Sequence, residues 1–399
     1  MDKLTVQLTQ LIAQRKVLSF NFCCYKESFV DNTQKLVTVA HLIHAQNNNL
    51  CILSAQNTTQ IIEHLQAEHQ NTEQYNEPEL ALVLALKLII KPQLQGELLT
   101  IMLTSEQAYL QSLSLAVVKV LGDNLIFTID FINEFTLPIS GMSADEANEN
   151  TPQQAFIQKA LFTLYNSKKL TAYLSSELPE YKQYDNRVAS SESLSAINWL
   201  TIDVLSDNKP DVQKITTTFI QQEYLNSHLF DVFITSLNEH EVTQVVNQLS
   251  VDDTHIPYII HAMALSGYIK FIPFLAQYLQ QANFVSDAYQ ALRIILGSKL
   301  DKLIPLNIQF NSEIDERIKD LPYYGAKILN AWQQGMPSIS FTFEQPDNKR
   351  LLNGLELSIQ AVEHVAMSGS QWHRYVAMLH QQQANATAYC YNAHALAVN

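Results

Sequence analysis

The clearest pattern of apolar and polar positions runs from residue 254 to residue 297 and has the period of α-helices. Apolar side chains recur every three or four residues up to Gly267, where the pattern breaks, and a second helical pattern follows with Pro273 near its start. The next apolar face consists of Ala288, Leu292, Ile295 and Leu296. Such short helices cannot bury their apolar faces alone, so each is expected to pack on a neighbour. The stretch therefore predicts an all-α fold, an α-solenoid of stacked helix pairs.

Residues 76–300 extend this pattern, and we predict that they form the helical repeats. Small residues inside apolar faces recur at intervals of roughly 30 to 45 residues, the length of a helix-pair repeat, with one interval about twice as long. They are Ala85, Ala116, Ala160, Ala196, Ala264 and Ala291. Polar segments at residues 137–151 and 178–187 are interpreted as loops between repeats, and a chain that divides would do so near residue 145. Because alanine is common in any helix, a helical domain without repeats remains the alternative.

The first 75 residues are less regular than the repeats. A helical pattern at the N-terminus is followed by the β-branched and aromatic run 17–22, and residues 50–53 follow an asparagine-rich turn. We therefore predict that residues 1–75 are an N-terminal cap or docking region, helical but with places that short strands could occupy.

The last hundred residues are predicted to be a C-terminal helical region that closes the solenoid, over residues 301–399. Residues 338–343 alternate like a short strand, and helical patterns cover residues 351–367 and 371–382. The chain is thus expected to end in two further helices.

Composition and charge narrow the class of protein. Hydrophobic residues make up 47% of the 399, but glycine occurs only 9 times, which is few for the tight turns of nucleotide-binding α/β folds or all-β sandwiches. The formal net charge of −14 repels a phosphate backbone, and no basic cluster is longer than a pair such as Lys168-Lys169, so no nucleic acid partner is expected. Without a signal-peptide core or a run of about 18 apolar residues, we expect a cytoplasmic protein with no membrane span.

Several groups of residues in the second half of the chain carry a resemblance to a known family. They are residues 271–275, residues 288–297, Ala331-Trp332, Leu351, Leu355 and residues 373–379. In this order they resemble the C-terminal half of an uncharacterised family of bacterial HEAT-like proteins whose genes accompany type VI secretion clusters. The resemblance covers about residues 255–399 and faintly residues 76–120, and the chain lacks the Arg-rich helices common in that family. It implies a HEAT-like solenoid and no catalytic residues.

The best metal-like group is formed by His41 and His44, with Cys23, Cys24 and Cys51 near them in sequence, since zinc takes imidazole and thiolate ligands. The cysteines are not spaced as Cys-x-x-Cys, and neighbouring residues of a strand point to opposite sides. We therefore favour ordinary buried cysteines and surface or partly buried histidines in a reducing compartment, with no metal and no cofactor.

Acid–base chemistry is conceivable at five further histidines, but the sequence does not assign it. They are His255, His261, His364, His373 and His380. No carboxylate or nucleophile stands at a recognisable spacing from them, so we interpret them as structural. Asp252 and Asp253 are predicted to cap a helix. The chain contains no P-loop and no Gly-x-Gly-x-x-Gly, Gly-x-Ser-x-Gly or His-Glu-x-x-His motif, so no catalytic residue is named.

These observations favour a non-enzymatic protein-binding scaffold or adaptor, which the resemblance implies is an accessory of a type VI secretion system. Tryptophan dominates binding hot spots, so Trp199, Trp332 and Trp372 are the candidate partner-binding residues, although core positions would explain them equally well. The alternative is a helical-repeat enzyme acting on nucleic acid bases or a small molecule, which should carry a basic, aromatic-lined face. A third hypothesis makes the N-terminal portion a separate module that docks the protein or forms a homo-oligomer.

Overall fold

The chain is mostly helical where the computed structural model describes it. The described residues are 3–19, 24–46, 52–70, 77–103, 105, 107–121, 200, 204, 211–309, 314–334, 349–384 and 396. Within them there are sixteen α-helices, short 3-10 helices and one two-stranded sheet, which confirms the all-α prediction at this level. None of these helices is both long enough and apolar enough to cross a membrane.

The chain forms two compact units. The first unit combines Met1–Leu170 with Ala388–Asn399, and the second unit is Thr171–Thr387. The division that we predicted at residues 75 and 300 stays a prediction. The interpretation of residues 137–151 and 178–187 as loops, and the pair Lys168-Lys169, lie outside the described residues.

The first unit is built around one helix that is buried on nearly every side. Its helices are α1 (Lys3–Ser19), α2 (Lys26–Ala45), α3 (Thr58–Gln70), α4 (Glu77–Ile90), α5 (Gln95–Leu103) and α6 (Ala108–Leu121). Helix α4 is buried throughout residues 80–88, with α2 and α6 packed on it. Leu396 adds a buried side chain, and its N–H donates to the carbonyl of Val120 at 2.9 Å.

The expectation of short strands in residues 1–75 is wrong where the chain is described. Val17 continues helix α1, and Ile52–Ser54 form a 3-10 helix. Val17 is exposed, whereas Leu8, Leu11 and Ile12 of α1 are buried. The buried face of α1 packs on α2, and this packing outweighs the weak β preference of the exposed Val17, while residues 20–22 of the predicted run lie outside the described residues.

From residue 211 onward the second unit begins with four short helices. They are α7 (Val212–Gln221), α8 (His228–Ser236), α9 (Glu239–Leu249) and α10 (Ile256–Ser266). Helix α10 packs on α8 and α9. Asp252 Oδ1 accepts from the N–H of Thr254 at 2.9 Å and caps the 3-10 helix Asp253–His255 that leads into α10, as the sequence predicts.

The remaining elements of the second unit follow in chain order. They are α11 (Ile272–Tyr278), α12 (Val285–Leu296), α13 (Leu306–Gln309), α14 (Ile314–Gln333), β1 (Leu351–Leu352), β2 (Leu355–Glu356), α15 (Ile359–Ser368) and α16 (Gln371–Ala384). The predicted helical pair around Gly267 is confirmed, since α10 ends there at a φ of 70° and Pro273 lies in the first turn of α11. The predicted apolar face of α12 is buried and packs on α10 and α11.

A β-hairpin replaces the start of the helix that we predicted over residues 351–367. Leu352 pairs with Leu355 across a turn in which Asn353 and Gly354 both have positive φ, at 53° and 76°. Asn-Gly is the usual pair for such a turn, because few other residues tolerate these angles. The helix α15 therefore begins only at Ile359. The strand predicted at residues 338–343 lies outside the described residues.

The hairpin completes hydrogen bonds at the ends of two helices. The N–H of Leu351 donates to the carbonyl of Gly267, the residue that follows the last turn of α10, at 2.8 Å. The N–H groups of Asn353 and Gly354 donate to carbonyls in the last turn of α12, those of Ile294 and Ile295, both at 2.8 Å. The last carbonyls of a helix have no partner inside it, so the hairpin stabilises both helices.

Arg350, just before the hairpin, ties together the ends of α8 and α10. Its Nε donates to the carbonyl of Ser266 at 2.7 Å, and an NH2 group donates to the carbonyl of Thr235 at 3.2 Å. Its guanidinium also lies 5.0 Å from the ring centre of Tyr268. Burial lowers the pKa of Arg350, but an arginine stays charged near neutral pH, so a half-buried cation faces the negative ends of two helices.

Replacement of Arg350 by methionine is expected to destabilise the second unit by about 3 kcal/mol, because two helix-end carbonyls lose a charged donor. Unfolding in urea, followed by tryptophan fluorescence, measures this unit alone, since Trp199, Trp332 and Trp372 all belong to it. The matched control is Lys349→Met, which removes a neighbouring cation and is expected to change the free energy by less than about 0.5 kcal/mol. Equal effects of the two substitutions would contradict the role of Arg350.

Candidate functional site

Helix α15 presents apolar side chains to solvent along one row. Ile359 is 69% exposed and Met367 is 60% exposed, with the exposed Glu363 between them. Residues four apart lie above one another on a helix, so these three side chains form one continuous strip, which we call the α15 face. A surface helix normally turns polar side chains to water, and this one turns two large apolar side chains outward.

The orientation of α15 is fixed by its opposite side and its ends. Val362, Val365 and Ala366 are buried, on the side that packs against α16. The N-cap Ser358 accepts from the N–H of Ala361 at 3.1 Å through its Oγ. A rotation that buried Ile359 would expose these three residues and push Glu363 inward, so the apolar strip cannot be hidden by a small adjustment.

The tryptophans that the sequence selected lie elsewhere. Trp332 is half-buried near the end of α14, and Trp372 is half-buried near the start of α16, with its Nε1 shielded from solvent. Trp199 lies outside the described residues. Their role in partner binding stays a prediction.

A second notable feature is a polar group in the second unit, the Asp231 group, formed by Asp231, His261, Tyr375 and His228. Asp231 Oδ1 lies 2.7 Å from His261 Nε2, and Oδ2 accepts a short hydrogen bond from the hydroxyl of Tyr375. His228 Nδ1 lies 3.3 Å from that hydroxyl. The group joins α8, α10 and α16, and the His261 side chain remains 37% exposed.

The charges in this group favour an ion pair. Burial by itself raises the pKa of Asp231, but the charge of His261 and the hydrogen bonds from His261 and Tyr375 outweigh it, so the pKa lies below its usual value. Burial by itself lowers the pKa of His261, and the carboxylate of Asp231 outweighs it and raises the pKa. Asp231 thus orients the imidazole through Nε2, as the carboxylate of an acid–base pair does.

Two histidines of α16, His373 and His380, have pKa values below the usual histidine value, in contrast to His261. His373 Nε2 donates to the carbonyl of Arg293 at 2.9 Å, and the hydroxyl of Ser370 lies 2.7 Å from its Nδ1. The hydroxyl therefore donates to a neutral ring. Burial lowers the pKa of His373 to about 4 and that of His380 to about 3. Both rings are structural groups that stay neutral at physiological pH.

The remaining candidates from the sequence are scattered. His364 is exposed on α15, and His255 ends the 3-10 helix before α10. In the first unit His41 is exposed and Cys24 is buried, while Cys23 and Cys51 lie outside the described residues.

His44 belongs to a different polar contact. Its Nδ1 lies 3.2 Å from Nζ of the fully buried Lys87, which donates to the carbonyls of Leu53 and Ala55. The ammonium group would repel a metal ion at this nitrogen. Among the described residues no three histidine, cysteine, aspartate or glutamate side chains are grouped as metal ligands.

An open cavity of about 530 Å³ lies at the start of α9. It is lined by Asn238, Glu239, His240, Thr243, Tyr268 and Lys270. Lys270 Nζ occupies its polar side, at 2.5 Å from Glu239 Oε1 and 2.7 Å from Thr243 Oγ1. Since the one ammonium and the carboxylate beside it neutralise each other, the cavity selects neither an anion nor a cation.

The exposed positions of the α15 face could have been predicted from the sequence. On a helical projection of residues 359–368, Val362, Val365 and Ala366 share one side, which leaves Ile359 and Met367 outside it. No comparable signal announces the Asp231 group, because Asp231 and Tyr375 are 144 residues apart.

No similarity to a known protein helps to interpret these features. No protein-family model matches the chain, and neither a curated protein nor a solved structure is found to be similar to it.

The stability of the second unit is expected to fall as pH drops from about 6.5 to about 4. In the unfolded chain His373 takes up a proton near the usual histidine pKa of 6.5, whereas in the folded chain its pKa is about 4. This difference removes up to about 1.4 kcal/mol for each pH unit, or about 3 kcal/mol in all. His380 adds to the fall, and the raised pKa of His261 partly opposes it.

The variant His373→Gln isolates this contribution. Urea unfolding at several pH values, read by tryptophan fluorescence, should show a slope that is smaller by about 1.4 kcal/mol per pH unit than in the wild type. The control His364→Gln removes an exposed ring on α15 and should keep the wild-type slope. A wild-type slope in His373→Gln would show that this ring is not the group that titrates.

Proposed function

We propose that this protein is a non-enzymatic scaffold or adaptor that binds another protein through the α15 face. The observation that carries the proposal is the row of Ile359 and Met367, both mostly exposed on a helix whose other side is anchored in the core. Large apolar side chains that are exposed together on one face of a rigid element are typical of docking surfaces. The finer assignments, a HEAT-like solenoid and an accessory of type VI secretion, are part of this proposal and rest on the resemblance of residues 255–399.

The packing of the second unit supports a scaffold. Helices α10, α11 and α12 are short, and each buries its apolar face on its neighbours. Stacked helix pairs offer long surfaces for protein partners and need no catalytic residue. We keep Trp332 and Trp372 as further candidates for contact with a partner, since both are half-buried.

The variant Ile359→Glu/Met367→Glu is expected to lose the partner while remaining folded. Two carboxylates in the apolar strip would have to be buried on binding, which costs far more than the contact returns. Affinity purification of the tagged full chain from its native host, followed by quantitative mass spectrometry, should recover the partner at least about tenfold less with this variant. Type VI secretion components among the lost proteins would support the setting that the resemblance implies.

The control Val17→Glu/Val251→Glu adds the same two charges at exposed valines elsewhere and should leave the recovery unchanged. Circular dichroism verifies that both double variants keep their helices. Recovery of the same proteins with all three chains would refute the role of the α15 face.

A second candidate function, an acid–base enzyme acting on a small molecule, is favoured by the Asp231 group. A carboxylate that orients a partly exposed imidazole is the arrangement of an acid–base pair. The cavity at the start of α9 is lined by other residues and does not include His261. For this reason we place the enzyme second.

Incubation of the protein with a metabolite extract of its host tests the enzyme. If His261 transfers a proton as a general acid or base, consumption of a compound should slow by about a hundredfold or more in His261→Gln. The control His240→Gln removes an exposed histidine of α9 and should keep the activity. The enzyme hypothesis fails if the wild type consumes nothing or if His261→Gln is equally active.

A further inference from the structure

The segment that carries the α15 face has charges of one sign only. Residues 351–373 contain no lysine and no arginine, whereas Glu356 and Glu363 are both exposed. The arginines that flank this segment contribute little to its surface charge, since Arg350 is half-buried and Arg374 is buried. The surface offered by this segment is therefore apolar and acidic.

The acidic charge lies inside the apolar strip. Glu363 follows Ile359 by four residues and precedes Met367 by four, so its carboxylate sits between two apolar side chains on the same row. On β2, Leu355 and Glu356 repeat the pairing of an exposed apolar residue with an exposed carboxylate. The one titratable neighbour on α15 is His364, whose Nε2 lies 3.2 Å from Ser368 Oγ.

This pattern argues against three possible occupants. An anionic lipid surface and a nucleic acid backbone are both repelled by Glu356 and Glu363. A second copy of the chain, bound through α15 with two-fold symmetry, would set Ile359 against Met367 of its partner and Glu363 against the other Glu363. Two carboxylates of like charge would then meet at the centre of the interface.

We propose that the α15 face binds a basic amphipathic helix of another protein, with a lysine or arginine opposite Glu363 and apolar side chains on either side of it. This inference rests on the proposed function and names the partner's chemistry. Burial of the apolar flanks provides the attraction, and the cation keeps the carboxylate of Glu363 paired when water leaves. An acidic amphipathic helix of the same shape is rejected by charge.

Two synthetic peptides and two forms of the full chain test this charge pairing. Both peptides are 18-residue helices with leucines four residues before and after a central position, which is lysine in one and glutamate in the other. In fluorescence anisotropy at low salt, the wild type should bind the lysine peptide about fivefold more tightly than the glutamate peptide. Glu363→Lys should reverse this preference, and added salt should weaken it.

The matched control Glu63→Lys changes the same charge at an exposed position of α3 and should bind both peptides as the wild type does. Circular dichroism shows whether each variant is folded. Absence of binding to the lysine peptide, equal binding of both peptides, or a preference that Glu363→Lys does not reverse would overturn the proposal.

Failure of this inference is distinguishable from failure of the proposed function. If Glu363→Lys still recovers from the host every protein that the wild type recovers, but Ile359→Glu/Met367→Glu does not, the α15 face binds a partner whose chemistry is not basic. If neither variant changes the recovery, the proposed function itself is wrong.

Discussion

The second unit depends on how the ends of its helices find hydrogen-bond partners. Short helices have a high proportion of end groups, and α8, α10 and α12 all end inside the packed region. Arg350 donates to carbonyls at the ends of α8 and α10, and the turn of the hairpin donates to the last turn of α12. The five residues from Arg350 to Gly354 thus stabilise three helix ends, and the same stretch of chain leads into α15.

This dependence links the core to the exposed surface. Helix α15 packs on α16, and α16 is attached to the core by polar contacts rather than by apolar packing alone. Tyr375 donates to the buried Asp231 on α8, and His373 donates to the carbonyl of Arg293 on α12. Polar contacts of this kind require specific geometry, so they hold α16 in one position. The docking surface that we propose on α15 would then be preorganised, and preorganisation lowers the cost of binding.

The parts of this structure that the sequence could predict are those with local causes. The spacing of apolar residues sufficed for α10, α11 and α12, and Gly267 marked the helix end because its φ of 70° is costly for other residues. The hairpin also has a local cause in Asn353-Gly354, but the apolar residues around it resemble a helical pattern and led to a wrong start for α15. The Asp231 group has no local cause. Its members come from three helices that only the tertiary fold brings together.

The candidate residues chosen by residue type, the tryptophans, differ from those that the structure exposes on the α15 face, because exposure depends on the tertiary fold. Residue type alone pointed to Trp332 and Trp372, yet a large aromatic side chain serves a core as well as an interface, and both rings are half-buried. Ile359 and Met367 are ordinary residues whose meaning comes from position. Each has roughly 100 Å² of apolar surface that contributes little to folding while exposed, and burying it against a partner would contribute about 2 kcal/mol. In the binding that we propose, with Glu363 paired by a cation, two such contacts would provide specificity and part of the affinity, and the rest would come from the surface around them.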